Sequence, residues 1–81
     1  YNGDFVNEEA RFFAERLRRD HKNATPGELV QQAFLLAYCR EPAPEESRRL
    51  TEFLGATASQ TKQLTGLCRV LLNSNEFIYI D

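Results

Sequence analysis

The sequence predicts an all-α fold, a small bundle of about four helices with an extended or single-turn C-terminal segment. Three observations carry this expectation. Apolar residues recur at helical spacing in four separate segments, prolines punctuate the joins between them, and 81 residues leave room for one domain. A hydrophobic fraction of 42% with 27% charged residues is that of an ordinary globular chain, far from the composition of disorder. A chain of this length buries only roughly 60 to 65% of the surface that its unfolded form exposes, so a modest stability margin is expected.

The first predicted helix covers about 7–20, where Val6, Ala10, Phe13 and Leu17 fall at i, i+4, i+7 and i+11. Asn7 is placed as its N-cap, with Glu8 and Glu9 in the first turn and Arg16, Arg18, Arg19 and Lys22 toward the end, the charge order a helix dipole favours. Thr25-Pro26-Gly27-Glu28 then reads as a capping box with proline at the first helical position, opening a second helix over 26–40. That helix is apolar around much of its circumference, from Leu29 and Val30 through Ala33, Phe34, Leu35, Leu36, Ala37, Tyr38 and Cys39. A central element touched from several sides is therefore expected. Pro42 and Pro44 end it, because proline lacks an amide donor and disfavours helical geometry in the residue before it.

A third helix is expected over 44–54, with Glu45 and Glu46 in its first turn, a narrow buried face of Ser47, Leu50, Phe53 and Leu54, and Gly55 as its stop. Leu64, Leu67, Cys68, Leu71 and Leu72 define a fourth over 59–73. Phe77-Ile78-Tyr79-Ile80 alternates over too few residues to specify a strand and fits equally an extended tail packed on the bundle. The predicted core is Val6, Ala10, Phe13, Leu17, Leu29, Ala33, Phe34, Leu36, Ala37, Leu50, Leu54, Leu64, Leu67, Cys68, Leu71 and Phe77.

Chemistry is far less legible. A formal net charge of -2 argues against a general nucleic-acid binder, which needs a net basic surface or a dense basic face. Arg11, Arg18 and Lys22 share one face of the first helix, but Glu8 and Glu15 interrupt it, and a solvated face is the better reading. No apolar run approaches the roughly 18 residues of a membrane span, and no signal-peptide pattern opens the chain. His21, the sole histidine, stands at a helix end where a cation suits the dipole. Glu8/Glu9 and Glu45/Glu46 are adjacent pairs that point about 100° apart on a helix, which suits a first turn and not paired acid-base catalysis.

Asn23-Ala24-Thr25 matches a glycosylation acceptor, although Thr25 is already accounted for as a cap. Cys39 and Cys68 fall on apolar helical faces, where buried free thiols are favoured over a disulfide between them. Without a CxxCH string, and with too few soft ligands for a closed zinc site, no cofactor is expected: neither haem nor a structural metal. Asn73-Ser74-Asn75-Glu76-Phe77 reads as a helix stop followed by one new turn.

The chain resembles the C-terminal end of a planctomycete-specific family, the domain of unknown function numbered, in words, fifteen fifty-three. The resemblance rests on Asp4-Phe5-Val6 leading into Glu9-Ala10-Arg11, on Ala37-Tyr38-Cys39-Arg40-Glu41-Pro42 with Glu45-Glu46, and on the string from Leu67 through Asn73, Asn75, Glu76 and Phe77 to Tyr79. It implies a large exported bacterial protein, often with a cytochrome c-like haem domain elsewhere, in which this single helical domain, 1–81, comes last. It implies no activity and no catalytic residue. The family often has glycine before the arginine; Cys39 in its place speaks against a tight left-handed helix cap.

The leading functional expectation is a non-catalytic helical module that packs against the rest of its parent or a protein partner. A subdomain forming one wall of a parent active site is the alternative. Structural-motif positions are Arg40, Pro42, Glu46, Asn73, Asn75, Glu76 and Phe77, with Arg40 in the last turn of the second helix. An Arg40–Glu76 ion pair is expected to pin the C-terminal turn, with Glu45 or Glu46 as rival partners.

Overall fold

The structure is a computed structural model that describes residues 3–55 and 61–74. Four helices run through them: α1 (Gly3–Asp20), α2 (Pro26–Tyr38), α3 (Pro44–Leu54) and α4 (Thr61–Leu72). The all-α expectation holds. The C-terminal segment with Asn75, Glu76 and Phe77, and the expected start of the fourth helix at 59, lie outside the described residues.

Helix α1 begins four residues before the predicted N-cap, so Asn7 is no cap. It lies inside the helix, where its Oδ1 accepts a hydrogen bond from Arg69 Nε of α4 at 2.7 Å. Ala10, Ala14 and Leu17 are the buried residues of α1, whereas Val6 and Phe13 are only partly covered. The two alanines explain the shift: small side chains at i and i+4 let α4, the main neighbour of α1, approach along that line and leave the bulkier residues at its edges.

The Thr25/Glu28 capping box forms in both directions. Thr25 Oγ1 accepts from the Glu28 amide at 3.2 Å, and Glu28 Oε1 accepts from the Thr25 amide at 2.8 Å. At its other end α2 stops at Tyr38, two residues short of the prediction, and Cys39 takes the left-handed conformation at φ 58° and ψ 31°. The expectation drawn from cysteine at this position is overturned. The Cys39 amide closes on Leu35 O at 3.1 Å, which satisfies an end carbonyl while turning the chain toward α3. Helix α2 meets all three other helices, as expected of a central element, but it is not enclosed. Its main neighbour is α3, and Leu35 and Leu36 stay 39% and 40% exposed, which removes Leu36 from the core.

Helix α3 buries only Leu54 completely; Ser47 and Leu50 are half-buried and Phe53 is 52% exposed. The Phe53 ring nonetheless covers Gly66 of α4, where an added Cβ would stand 3.2 Å from Phe53 Cζ. Gly55 ends α3 at φ 62° and ψ -161°, backbone that glycine adopts without strain.

Two polar contacts fix the helix directions. Asn7 to Arg69 sets the start of α1 beside the end of α4, making that pair antiparallel. The Tyr38 hydroxyl donates to Leu71 O at 2.9 Å, bringing the C-terminal ends of α2 and α4 to one pole, so these two run in the same sense with α3 returning between them. The shared core holds Leu17, Leu29, Val30, Ala33, Phe34, Ala37, Tyr38, Leu54, Leu64, Leu67, Cys68 and Leu71 with the two α1 alanines.

Candidate functional site

A network of polar contacts occupies the corner between α2 and α3, and it grows from Arg40. Cys39 turns the chain left-handed, so Arg40 lies just past α2 and not in its last turn as expected. Its guanidinium carbon sits 5.2 Å from the centroid of Phe34 and 5.6 Å from that of Tyr38, two rings that meet edge-to-face at 5.1 Å. A cation over aromatic faces is attracted by their quadrupoles. The fork then reaches across the loop: Nη1 donates to Glu46 Oε1 at 3.0 Å and Nη2 to Glu46 Oε2 at 3.1 Å, while Nη1 also donates to Glu41 O at 2.9 Å.

Glu46 has a second task. Ala43, the residue preceding α3, has no side-chain acceptor for a cap, and Glu46 Oε1 takes the Ala43 amide at 2.8 Å. One carboxylate thus joins the end of one helix to the beginning of the next. The hydrogen bond from Arg40, followed by that from the Ala43 amide, holds the Glu46 carboxyl below its ordinary value of 4.5. Half-buried Pro42 fixes the loop between them, and Gln31 Nε2 donates to Glu41 Oε1 at 3.2 Å from the body of α2.

Of the predicted motif residues, the structure therefore brings Arg40, Pro42 and Glu46 together. Of the partners proposed for Arg40, Glu46 is the one seen; Glu76, with Asn75 and Phe77, lies outside the described residues. Asn73 is exposed past the end of α4, its amide bonded to Arg69 O at 3.1 Å. Glu45 faces outward and pairs with Arg48, and at 3.8 Å with Arg49. His21 continues the end of α1, its amide on Leu17 O at 3.0 Å. Arg11 and Arg18 border one surface depression and Arg18 and Lys22 another, and Glu15 lines both.

Both cysteines are free thiols. Cys39 is exposed, contrary to the buried face expected for it, because the left-handed cap turns its side chain off the helix stripe. Cys68 is buried, and burial pushes its thiol up to about 12.

Two open grooves flank this framework. The first, about 330 Å³, lies between the start of α3 and the end of α4; Phe34, Leu50, Val70 and Leu71 line its apolar part, and Glu45, Arg49 and Ser74 belong to its polar lining. The second, about 260 Å³, lies where α1 and α2 diverge. Phe12, Phe13, Leu36, Ala37 and Leu72 line it, and Glu9 and Arg16 flank it. Phe12 at its rim is 61% exposed. The core-directed sequence reading missed this surface, although Phe5 and Phe12, seven residues apart on α1, form a second apolar line that would have indicated it. No family model, curated protein or solved structure matches the chain.

Proposed function

We propose that this chain is a non-catalytic helical interaction module of a larger exported bacterial protein, in keeping with the family it resembles, and that its groove between α1 and α2 is the docking face. The observation that carries this reading is the exposure of Phe12 and Leu36 together over an apolar floor. Apolar side chains clustered on a surface and rimmed by charge mark contact sites. The polar groups of the α2–α3 corner support the same reading. Arg40 and Glu46 are engaged with each other, with the Ala43 amide and with Glu41 O, which gives the corner a role in holding two helices together.

A second reading, a subdomain contributing one wall of a parent active site, is favoured by the groove at α3 and α4, where Glu45, Arg49 and Ser74 stand over apolar residues. Hydrogen exchange separates the two when the full-length parent is compared with a dilute sample of the isolated chain, in which neither groove is occupied by a second chain. Added protection in the parent at residues 9–16 and 33–37 supports the docking module. Protection confined to 45–50 and 70–74 moves the contact to the second groove, and unchanged protection at both removes the interaction reading.

A further inference from the structure

From the α1–α2 groove we infer that the occupant of this face is a second copy of the same chain, docked about a two-fold axis with the two α1 helices antiparallel. The inference rests on the docking reading and names its partner.

The argument is one of charge and symmetry. In a two-fold interface each surface must complement itself. Helix α1 is electrically polar along its length: Glu8 and Glu9 outweigh Arg11 in its first half, whereas Arg16, Arg18 and Arg19 outweigh Glu15 and Asp20 in its second. Set parallel, two such helices oppose like charges; set antiparallel, they place the acidic half of each against the basic half of the other. The groove repeats this pattern locally. Glu9 and Arg16 flank it with Phe12 between them, so an axis passing near Phe12 brings Glu9 of each copy to Arg16 of the other in two equivalent pairs.

The apolar part is self-complementary too. Phe12 projects from the rim, and beside it lies a depression lined by Phe13, Ala37 and Leu72 and edged by Leu36, so each copy offers both a projecting ring and a hollow to receive one. Arg16 already meets Asp20 of its own helix at 3.8 Å, but both side chains are exposed, at 59% and 47%. A surface contact of that kind holds the guanidinium weakly and leaves it available to a closer carboxylate.

The test is sedimentation of the 81-residue chain from about 1 to about 500 μM, a span over which an association equilibrium shifts by mass action. The expected result is a concentration-dependent rise from 9.3 kDa toward twice that mass. Phe12→Asp should abolish the rise, with circular dichroism unchanged because the residue lies on the surface. Glu9→Arg and Arg16→Glu should each weaken association by roughly tenfold, as like charges then face each other. The chain carrying both changes restores opposite pairs across the axis and should recover most of the wild-type affinity. A monomer at every concentration, a dimer indifferent to Phe12→Asp, or a double reversal no better than the singles overturns the two-fold assignment. A monomer whose α1–α2 face is nevertheless protected within the parent leaves the docking reading standing and removes only the second copy.

Discussion

Glu46 Oε1 accepts from both Arg40 and the Ala43 amide, so protonating this one carboxylate loosens the end of α2 and the start of α3 together. Its folded-state value is depressed, which means that the stability it contributes is present above 4.5 and is lost as the pH falls below 4.5 through the lowered value. Urea midpoints from about pH 7 to about pH 3 should show wild type ahead of Glu46→Gln at neutral pH, with the gap closing in the acid range. Since the Arg40 and Glu46 side chains are 36% and 38% exposed, solvent screening limits their coupling to roughly 0.5–1 kcal/mol in a double-mutant cycle. The cysteines make the opposite pair of a reactive and a withdrawn group. Cys39 should take one equivalent of thiol reagent from the native chain, and Cys68 should react only after unfolding, because burial lifts its thiol from 9.0 to about 12 and closes off access. Native labelling of both thiols at equal rates would contradict this placement.

At the scale of elements, what local chemistry encodes was legible in the sequence, and what depends on neighbouring helices was not. The Thr25/Glu28 box and the proline at the first position of α3 were legible because each is completed within a few residues. The start of α1 was not: Asn7 has the chemistry of a cap, but α4 engages it through Arg69 and the helix continues past it. The left-handed cap at Cys39 was likewise hidden, since local propensity disfavours it while the closing Leu35 carbonyl and the placement of Arg40 favour it. Of the corner, Arg40 and the two glutamates could be named from sequence, but the rings beneath the guanidinium required the turn to be known. That turn carries a strain which glycine would relieve. A non-glycine residue in the left-handed region costs roughly 1–2 kcal/mol, and the greater freedom of glycine in the unfolded chain returns part of it, so Cys39→Gly should raise stability by about 0.5–1 kcal/mol. Because Cys39 is exposed, no packing is lost in the exchange. A lowered denaturation midpoint would show that the side chain itself holds the cap.

For the molecule as a whole, two phenylalanines separate the interior from the exposed face proposed for docking. Phe34 is 2% exposed, meets Tyr38 edge-to-face at 5.1 Å and lies beneath the Arg40 guanidinium, so its ring links α2 to the corner that leads into α3. Tyr38 in turn bonds Leu71 O, and through that contact the ring system reaches the end of α4. Truncating Phe34 to alanine removes the ring, leaves a cavity in the shared core and withdraws one face from the guanidinium, for a cost of about 3–5 kcal/mol. Folded domains hold roughly 0.05–0.15 kcal/mol per residue, about 4–12 kcal/mol for 81 residues, so this one truncation removes a large share of the reserve. Phe34→Ala should therefore unfold at a far lower urea midpoint than wild type. Phe12→Ala deletes the same ring from a position 61% exposed, where little interior packing depends on it, and should shift the unfolding midpoint of a dilute sample only slightly. At high concentration Phe12→Ala should lose the added stability that association confers on wild type, since only the assembled form needs that ring. If the two variants lost stability equally in dilute solution, Phe12 would belong to the core and the exposed face would not be a docking surface.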